Sequence, residues 1–357
     1  MSDADRIARV RLIRSENVGP VSFRMLLRRF GSAAAAVEAL PDLARRGGRI
    51  ASVAEAEAEL AAIAAAGARA LFLGDPDYPP LLAESEDAPP LLSALGDPVL
   101  AARPVVAMVG ARNASAAAKL WAKTAARDLA DAGFVVVSGM ARGIDAAAHE
   151  GSLGGGTIAA IAGGIDIAYP PENAALQAAV AERGLLLAEM PPGTQPMARH
   201  FPRRNRIIAG IAQATVVVEA AVGSGSLITA RLAGELGRDV LAVPGSPLDA
   251  RARGCNALIK EGATLVEHAG DIVAALRPFG ERLQEPKQPG FDFGGPIAEP
   301  GADAADRLRE LLSPVPVPVD ELVRQSGLPA ADIQVLLVDL ELEGVLTRHA
   351  GGRVSLV

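Results

Sequence analysis

Four arginines and an asparagine crowd into eight residues, Arg199-His200-Phe201-Pro202-Arg203-Arg204-Asn205-Arg206, just ahead of the apolar run Ile207-Ile208-Ala209. The charges therefore stand where a helix begins. A helix start presents unpaired N–H groups and the positive end of a dipole, and both favour anions, phosphate above all. Arginine adds a planar fork that matches phosphate oxygens. After the buried strand Thr215-Val216-Val217-Val218 comes a second such place, Gly223-Ser224-Gly225-Ser226, a turn that opens another helix. Glycine there lets the backbone approach a ligand closely. A single Arg pair at a helix start would read as a solvated basic end. Four arginines beside a second anion-ready turn read as phosphate binding.

These two places need elements to hold them, and the hydrophobic pattern from Pro104 onward supplies them. Continuous apolar runs at residues 105–109, 134–137, 158–162, 185–188, 215–218, 240–243 and 264–266 alternate with helical stretches such as 114–132, 172–183 and 227–236. Buried strands alternating with helices make a parallel sheet covered on both faces, which is a doubly wound, Rossmann-like α/β domain. Ligands bind outside the carboxyl ends of such strands. Those ends carry Gly110-Ala111-Arg112, then Ser138-Gly139-Met140-Ala141-Arg142-Gly143-Ile144-Asp145, and Gly163-Gly164. Further ends carry the 201–206 run, the 223–226 turn and Pro244-Gly245-Ser246. The candidate phosphate-binding residues are thus Gly110, Ala111, Arg112, Ser138, Gly139, Arg142, Gly143, Phe201, Arg203, Arg204, Asn205, Arg206, Gly223, Ser224, Gly225 and Ser226. Ser226 is expected to cap the helix running to Leu236, and Asp145 to cap the helix that follows Gly143.

The flanks differ in kind. Residues 1–66 read as helices, with a turn at Asn17-Val18-Gly19-Pro20 and the apolar face Phe23, Leu26, Leu27 and Phe30 opposite Arg24, Arg28 and Arg29. Helix, glycine turn, helix is a SAM-like or helix-hairpin-helix-like module, whose turn holds DNA in some cases and only packs helices in others. Residues 67–279 form the Rossmann-like domain, entered through the short strands at 70–73 and 91–95. Residues 280–302 are rich in Pro and Gly, the composition of a linker. Residues 303–357 read as three helices and a hairpin, a winged helix. That module holds nine carboxylates against five arginines, and its third helix, residues 331–344, has neither Lys nor Arg. Such a helix repels phosphates, so the module is expected to bind protein or to pack back on the sheet domain instead of reading DNA.

Composition excludes several classes. The 357 residues carry a net charge of −7, but the basic residues are clustered, so the bulk value does not argue against nucleic acid. Cys255 is the single cysteine, which rules out an intrachain disulfide and fits a reducing cytoplasm. With four scattered histidines no metal site is expected, and no apolar run reaches the ~20 residues of a membrane span. The string Gly154-Gly155-Gly156-Thr157-Ile158-Ala159 follows a helix and opens a strand, the reverse of a dinucleotide fingerprint. Neither a Walker A sequence nor a Gly-x-Ser-x-Gly elbow is present. A triad of Ser224 or Ser226 with His149 and Asp145 is conceivable, yet two residues four apart on one helix fit capping and packing as readily. Cys255, in Gly254-Cys255-Asn256-Ala257-Leu258-Ile259-Lys260, reads as a buried or inert thiol.

The ordered set of motifs resembles the DNA-processing protein DprA (Smf) family. Val109-Gly110-Ala111-Arg112, Ser138-Gly139-x-Ala141-x-Gly143-Ile144-Asp145 and Tyr169-Pro170-x-x-Asn173 carry the resemblance first. Pro191-Pro192-Gly193, Phe201-Pro202-x-Arg204-Asn205-Arg206-Ile207-Ile208-Ala209-Gly210 and Ser224-Gly225-Ser226-Leu227-Ile228-Thr229-Ala230-Arg231 follow. Val243-Pro244-Gly245 and Gly254-x-Asn256-x-Leu258-Ile259-x-x-Gly262-Ala263 complete it, so that the match runs over roughly residues 70–270. The resemblance implies a recombination mediator of natural transformation that binds and protects incoming single-stranded DNA and loads the RecA recombinase. It further implies a homodimer through the Rossmann-like domain, no cofactor and no catalysis. Ala111 stands where the family commonly has Ser, removing one hydroxyl while leaving the backbone N–H and Arg112. Two alternatives stand beside it: a transcription regulator acting through the winged helix on duplex DNA, and a nucleoside-monophosphate phosphoribohydrolase of the Lonely-guy or lysine-decarboxylase-like type. The hydrolase's Pro-Gly-Gly-x-Gly-Thr turn is replaced here by Gly223-Ser224-Gly225-Ser226.

Overall fold

The computed structural model describes residues 1–43, 48–276, 302–342, 345–349 and 353–356. The chain falls into two compact units, residues 1–283 and 284–357. The linker expected at 280–302 lies outside the described residues but for its last position.

The first unit opens with four helices, α1 (Asp3–Arg14), α2 (Pro20–Phe30), α3 (Ala33–Leu43) and α4 (Val53–Ala65). Their ends are written in the sequence. Ser2 caps α1, which begins with Asp3 and Asp5 and ends with Arg11 and Arg14, matching the helix dipole. Ser52 and Glu55 form a reciprocal capping box on α4. Pro20 starts α2 and Gly31, at φ 76°, ends it in the left-handed region.

A nine-stranded sheet follows: β1 (Arg69–Phe72), β2 (Leu91–Gly96), β3 (Val105–Gly110), β4 (Val135–Ser138), β5 (Thr157–Ile161), β6 (Leu185–Ala188), β7 (Ala214–Val218), β8 (Asp239–Ala242) and β9 (Thr264–Leu265). Their spatial order is β1-β2-β6-β5-β4-β3-β7-β8-β9. The seven strands from β3 to β9 are parallel, while β2 runs antiparallel to β6 and β1 antiparallel to β2. Helix α5 (Pro80–Ala83) lies between β1 and β2, and α6 (Ala116–Asp131), α7 (Ile144–Ser152), α8 (Ala174–Arg183), α9 (His200–Ile211), α10 (Gly225–Glu235) and α11 (Arg253–Lys260) connect the parallel strands, with α12 (Ala269–Leu276) after β9.

Both sheet faces are covered. Val106, Met108, Val136 and Val216 pack under α6 and α7, while Val105, Val137, Leu187 and Val217 pack against Ile207, Ile208 and Ile211 of α9. The helical module shares a core with the sheet, since Val10 and Ile63 cluster with Phe72, Met140 and Leu186. Arginines of α1 also satisfy carbonyls of the adjoining strand: Arg6 donates to Ala70 and Arg9 to Leu73. These contacts blunt an otherwise open sheet edge.

Strand order reverses between β3 and β7, because β4, β5 and β6 continue on one side of β3 and β7, β8 and β9 on the other. Adjacent connections leave in opposite directions there, and a crevice opens outside the strand ends.

In the second unit helices Ala302–Leu311, Val319–Ser326 and Ala330–Leu342 pack through Leu308, Leu322, Ile333 and Leu337. Strand β10 (Val317–Pro318) joins the hairpin of β11 (Leu346–His349) and β12 (Arg353–Leu356) in a three-stranded sheet. This is the wing expected from the sequence, extended by one short strand.

Candidate nucleic-acid interface

The ends of β3 and β7, the start of α9 and the start of α10 meet at the switch point. An open crevice of about 880 Å³ there is lined by Gly110, Ala111, Arg112, Phe201, Arg204, Asn205, Ser224, Gly225 and Ser226. A smaller recess of about 250 Å³ adjoins it, sharing Arg112, Phe201 and Arg204 and adding Gly139, Arg142 and Tyr169. Eleven of the sixteen candidate residues line one or the other, whereas Ser138, Gly143, Arg203, Arg206 and Gly223 line neither.

Helical spacing sorts the arginines of α9. Arg204 lies on the same face as Ile207, Ile208 and Ile211, the face packed on the sheet, so its stem is buried and the residue is 6% exposed. Its Nη1 stands 3.7 Å from Oδ2 of Asp145. The same Asp145 oxygen accepts the N–H groups of Gly139 (3.2 Å) and Ala141 (3.3 Å). One carboxylate thereby fixes both the β4–α7 loop and the guanidinium. Burial pushes the Asp145 carboxyl up against the pull of Arg204 and the two loop N–H groups. Asp145 is the second residue of α7, whose cap position is held by Gly143, so it is not the N-cap expected from the sequence. Gly143 itself adopts φ 81°, and a Cβ there would lie 2.2 Å from the Ala111 carbonyl oxygen.

Behind this pair His149 is fully buried, with Nδ1 2.7 Å from Oγ1 of Thr157. The Thr157 hydroxyl donates to the Val136 carbonyl, so it accepts from Nδ1–H and fixes that tautomer. Burial, with Arg204 second, holds the imidazole down to about 3. A neutral histidine on a threonine is no part of a nucleophilic triad with Ser224 or Ser226. Ser138 is likewise buried, donating to the Met108 carbonyl at 2.6 Å, and cannot meet a ligand directly.

Arg112 is exposed, and its guanidinium stacks over the Phe201 ring at 5.1 Å; Arg204 lies 5.9 Å from the same ring, and Tyr169 6.0 Å. Arg142 also faces solvent, 3.7 Å from Glu172. Arg203 is exposed beside the crevice mouth residues Phe201 and Pro202 in sequence, yet does not line the crevice. Arg206 is turned elsewhere altogether: it pairs with Glu189 and Asp87 and donates to the Asp87 carbonyl, its side chain 11% exposed. The sequence places it among the phosphate contacts, but in this fold its guanidinium is committed to these acceptors and does not line the crevice. Position 206 follows 204 by two residues, about 200° around the helix, toward the β6 end.

Helix α10 starts two residues earlier than the sequence implied. Ser224, with φ −69° and ψ 151°, is the N-cap, and Ser226 is the second helical residue, its Oγ 2.8 Å from Oγ of Ser224. Leu227 N–H donates to the Ser224 carbonyl at 3.1 Å, whereas Gly225 and Ser226 are first-turn donors that have no acceptor within the helix. Gly223, at φ 79°, makes the turn that delivers them. Asn205 donates to the Gly225 carbonyl at 3.3 Å and so ties α9 to this turn. The N–H of Ala111 is not free as expected, since it donates to Val218 at 3.3 Å.

Sequence reasoning passed over Glu219. It closes β7 with φ 47°, a sparsely populated region for a non-glycine residue. Its carboxylate accepts from Ser115 N–H at 2.8 Å and from the Ser115 hydroxyl at 2.6 Å, and Ser115 is the N-cap of α6. The helix start nearest β3, where an α/β sheet commonly seats a nucleotide phosphate, is thus already occupied by an anion of the chain itself. The available anion places are α10 and the arginines. Cys255 is buried against the Val217 carbonyl, and burial pushes its thiol up to about 11, as an inert thiol requires. Among the described residues no cluster of His, Cys, Asp and Glu could hold a metal ion, and no helix is long and apolar enough to cross a membrane.

Comparison with known proteins gives the family. Residues 69–277 match the family model for DNA recombination-mediator protein A, residues 3–62 that for the DprA-like N-terminal HHH domain, and residues 295–352 that for the DprA winged helix domain. The chain is 36% identical over 311 residues to Protein Smf of Synechocystis sp., covering 78% of either chain. The structure of DNA processing protein A from Streptococcus pneumoniae superposes with a TM-score of 0.61 at 37% identity, over 74% of this chain and 88% of that one. That of DNA processing protein A from Helicobacter pylori, described for its single-stranded DNA binding mode, gives 0.54 at 29% identity, over 59% and 97%. The chain belongs to the DNA recombination-mediator protein A (DprA) family and is a DNA-processing protein.

Proposed function

We propose that this member of the DprA family binds single-stranded DNA through its backbone in the β3/β7 crevice, acting as a recombination mediator and not as an enzyme. One observation carries the reading: the exposed Arg112, the fixed Arg204 and the free N–H groups of Gly225 and Ser226 converge on one open crevice. Arginine forks and backbone donors track phosphates without reading bases. Phe201 and Tyr169 add two ring faces, sequence-tolerant platforms on which unpaired bases stack. A duplex hides its bases from such platforms, so a single strand is the better ligand.

The family resemblance supports the remaining parts: a homodimer through the sheet domain, a cytoplasmic setting, protection of incoming DNA during natural transformation, and loading of RecA. The C-terminal unit, with its excess of carboxylates, serves protein contact instead of DNA reading.

A mobility-shift experiment with single- and double-stranded oligonucleotides, each with and without RecA, tests the reading. Preference for the single strand, a supershifted complex with RecA, and affinity retained after deletion of residues 303–357 are expected. Equal affinity for duplex, or release of ribose 5-phosphate from AMP, would overturn it in favour of a duplex-binding protein or the nucleotide hydrolase.

A further inference from the structure

Arg251 lines the same crevice as Arg112, Arg204 and the α10 turn, although no motif marks it. It lies in the loop between β8 and α11, which is pinned at its start by Asn256: the Asn256 side chain accepts from Gly245 N–H at 3.2 Å and donates to the Gly245 carbonyl at 2.9 Å. At its far end Gly254 N–H donates to the Ala220 carbonyl at 2.7 Å, which ties the loop to the end of β7. The loop thus holds a guanidinium beside the free N–H groups of α10.

What that guanidinium grips is informative. Asp249 Oδ1 accepts from Arg251 Nε at 3.1 Å and from Arg251 N–H at 2.9 Å, and Oδ2 accepts from Nη2 at 2.7 Å. Two oxygens of an anion are therefore bound by a fork and a backbone donor, the arrangement that arginine offers a phosphate. Arg251 holds the Asp249 carboxyl down to about 2, so it is ionised at every ordinary pH. Both side chains are partly exposed, 41% and 34%, and the pair lies within a single loop. An ion pair in such a setting contributes little to stability, so exchanging one anion for another costs little.

We propose that Asp249 is an internal stand-in for a backbone phosphate: it occupies Arg251 while the crevice is empty and yields it to the nucleic-acid strand when the strand enters. Arg251 is then a further phosphate contact, and Asp249 lowers affinity by competing for it. This rests on the reading of the crevice as a phosphate-binding groove.

The test is the salt dependence of oligo-dT binding by the full chain and its variants Arg251→Gln, Asp249→Asn, their double mutant, and Arg112→Ala. Arg251→Gln should weaken binding and lower the slope of log affinity against log salt by about 0.7, one phosphate contact. Asp249→Asn should bind about two- to fivefold tighter, the weight of a surface pair. In the double mutant the Asp249→Asn gain should vanish, because the carboxylate acts only through Arg251. An unchanged slope in folded Arg251→Gln would overturn the proposal, as would an Asp249→Asn gain of the same size in the Arg251→Gln background, which marks mere removal of negative charge. If Arg112→Ala lowers the slope and Arg251→Gln does not, this inference alone fails. If neither does, the reading of the crevice fails with it. Arg251→Lys, which keeps the charge, should keep the slope, and thermal melting of each variant confirms that the loop change leaves the fold intact.

Discussion

Gly139 and Arg204 occupy each other's space: a Cβ at Gly139 would stand 1.0 Å from Nη1 of Arg204 and 2.2 Å from its Cζ. Glycine at the end of β4 is therefore what admits the guanidinium to its seat beside Asp145. Gly139→Ala should expel Arg204 from that seat, leaving Asp145 buried without its cation. Loss of one partner of a buried pair costs about 3–5 kcal/mol, so a lowered melting temperature is expected. Single-strand affinity should fall at least tenfold under conditions where the variant is still folded. Wild-type affinity in folded Gly139→Ala would show that Arg204 need not be so placed.

Arg206 should behave differently from Arg112. Its partners Glu189 and Asp87 lie away from the crevice, and both it and Glu189 are nearly buried, at 11% and 12%. Arg206→Ala is expected to destabilise the fold by about 3–5 kcal/mol, as for a broken buried pair. Its salt slope should match wild type when measured well below the melting transition. A slope lowered with melting unchanged would return Arg206 to the DNA contacts.

The first position of α10 offers a cleaner probe. Proline is favoured at a first helical position, and Ser224 already has the extended backbone that a residue before proline adopts. Nothing lies within 4 Å of a Cβ at Gly225. Gly225→Pro should fold normally while deleting one N–H donor. Hydrogen bonds to charged groups contribute about 1.5–3 kcal/mol, so affinity for single-stranded DNA should fall by roughly tenfold or more. Equal affinity would show that the α10 N-terminus does not hold phosphate.

Acid should reveal His149. Its folded value, about 3, lies below the ordinary value of 6.5. Below pH 6.5 the unfolded chain therefore binds a proton that the folded one does not, and stability is lost as pH falls toward 3. That loss approaches about 1.4 kcal/mol per pH unit for one proton. Asp145, whose carboxyl burial raises, works in the opposite sense over the acidic range, so the comparison must isolate the histidine. Between pH 6.5 and 4, the melting temperature of wild type should fall more steeply than that of His149→Gln. Parallel curves would mean that His149 is protonated in the fold.

Much of this architecture is legible in the sequence, because buried parallel strands are written as unbroken apolar runs. All seven runs from Val105 to Val266 are strands within a residue or two of their expected bounds. What is not legible depends on contacts between distant segments. Nothing local says that β2 joins the parallel strands in the antiparallel sense, since its partner β6 lies about ninety residues further along. The 201–206 run shows its charges but not which of them turn inward; α9 buries Arg204, ties Arg206 to Glu189 and leaves Arg203 in solvent. Glu219 and Arg251 carry no motif at all. Their roles appear only when β7 meets the start of α6, and when the β8–α11 loop folds over the crevice edge.

Arg112 gives the most direct test of the central claim, because it is exposed at the switch point and no salt bridge to a carboxylate is seen for it among the described residues. Its removal should therefore subtract a phosphate contact without subtracting a piece of the fold. The measurement is single-strand affinity at a series of salt concentrations for wild type and Arg112→Ala. The crevice account predicts a slope smaller by about 0.7 in the variant, at unchanged melting temperature. An unchanged slope in the folded variant would contradict it.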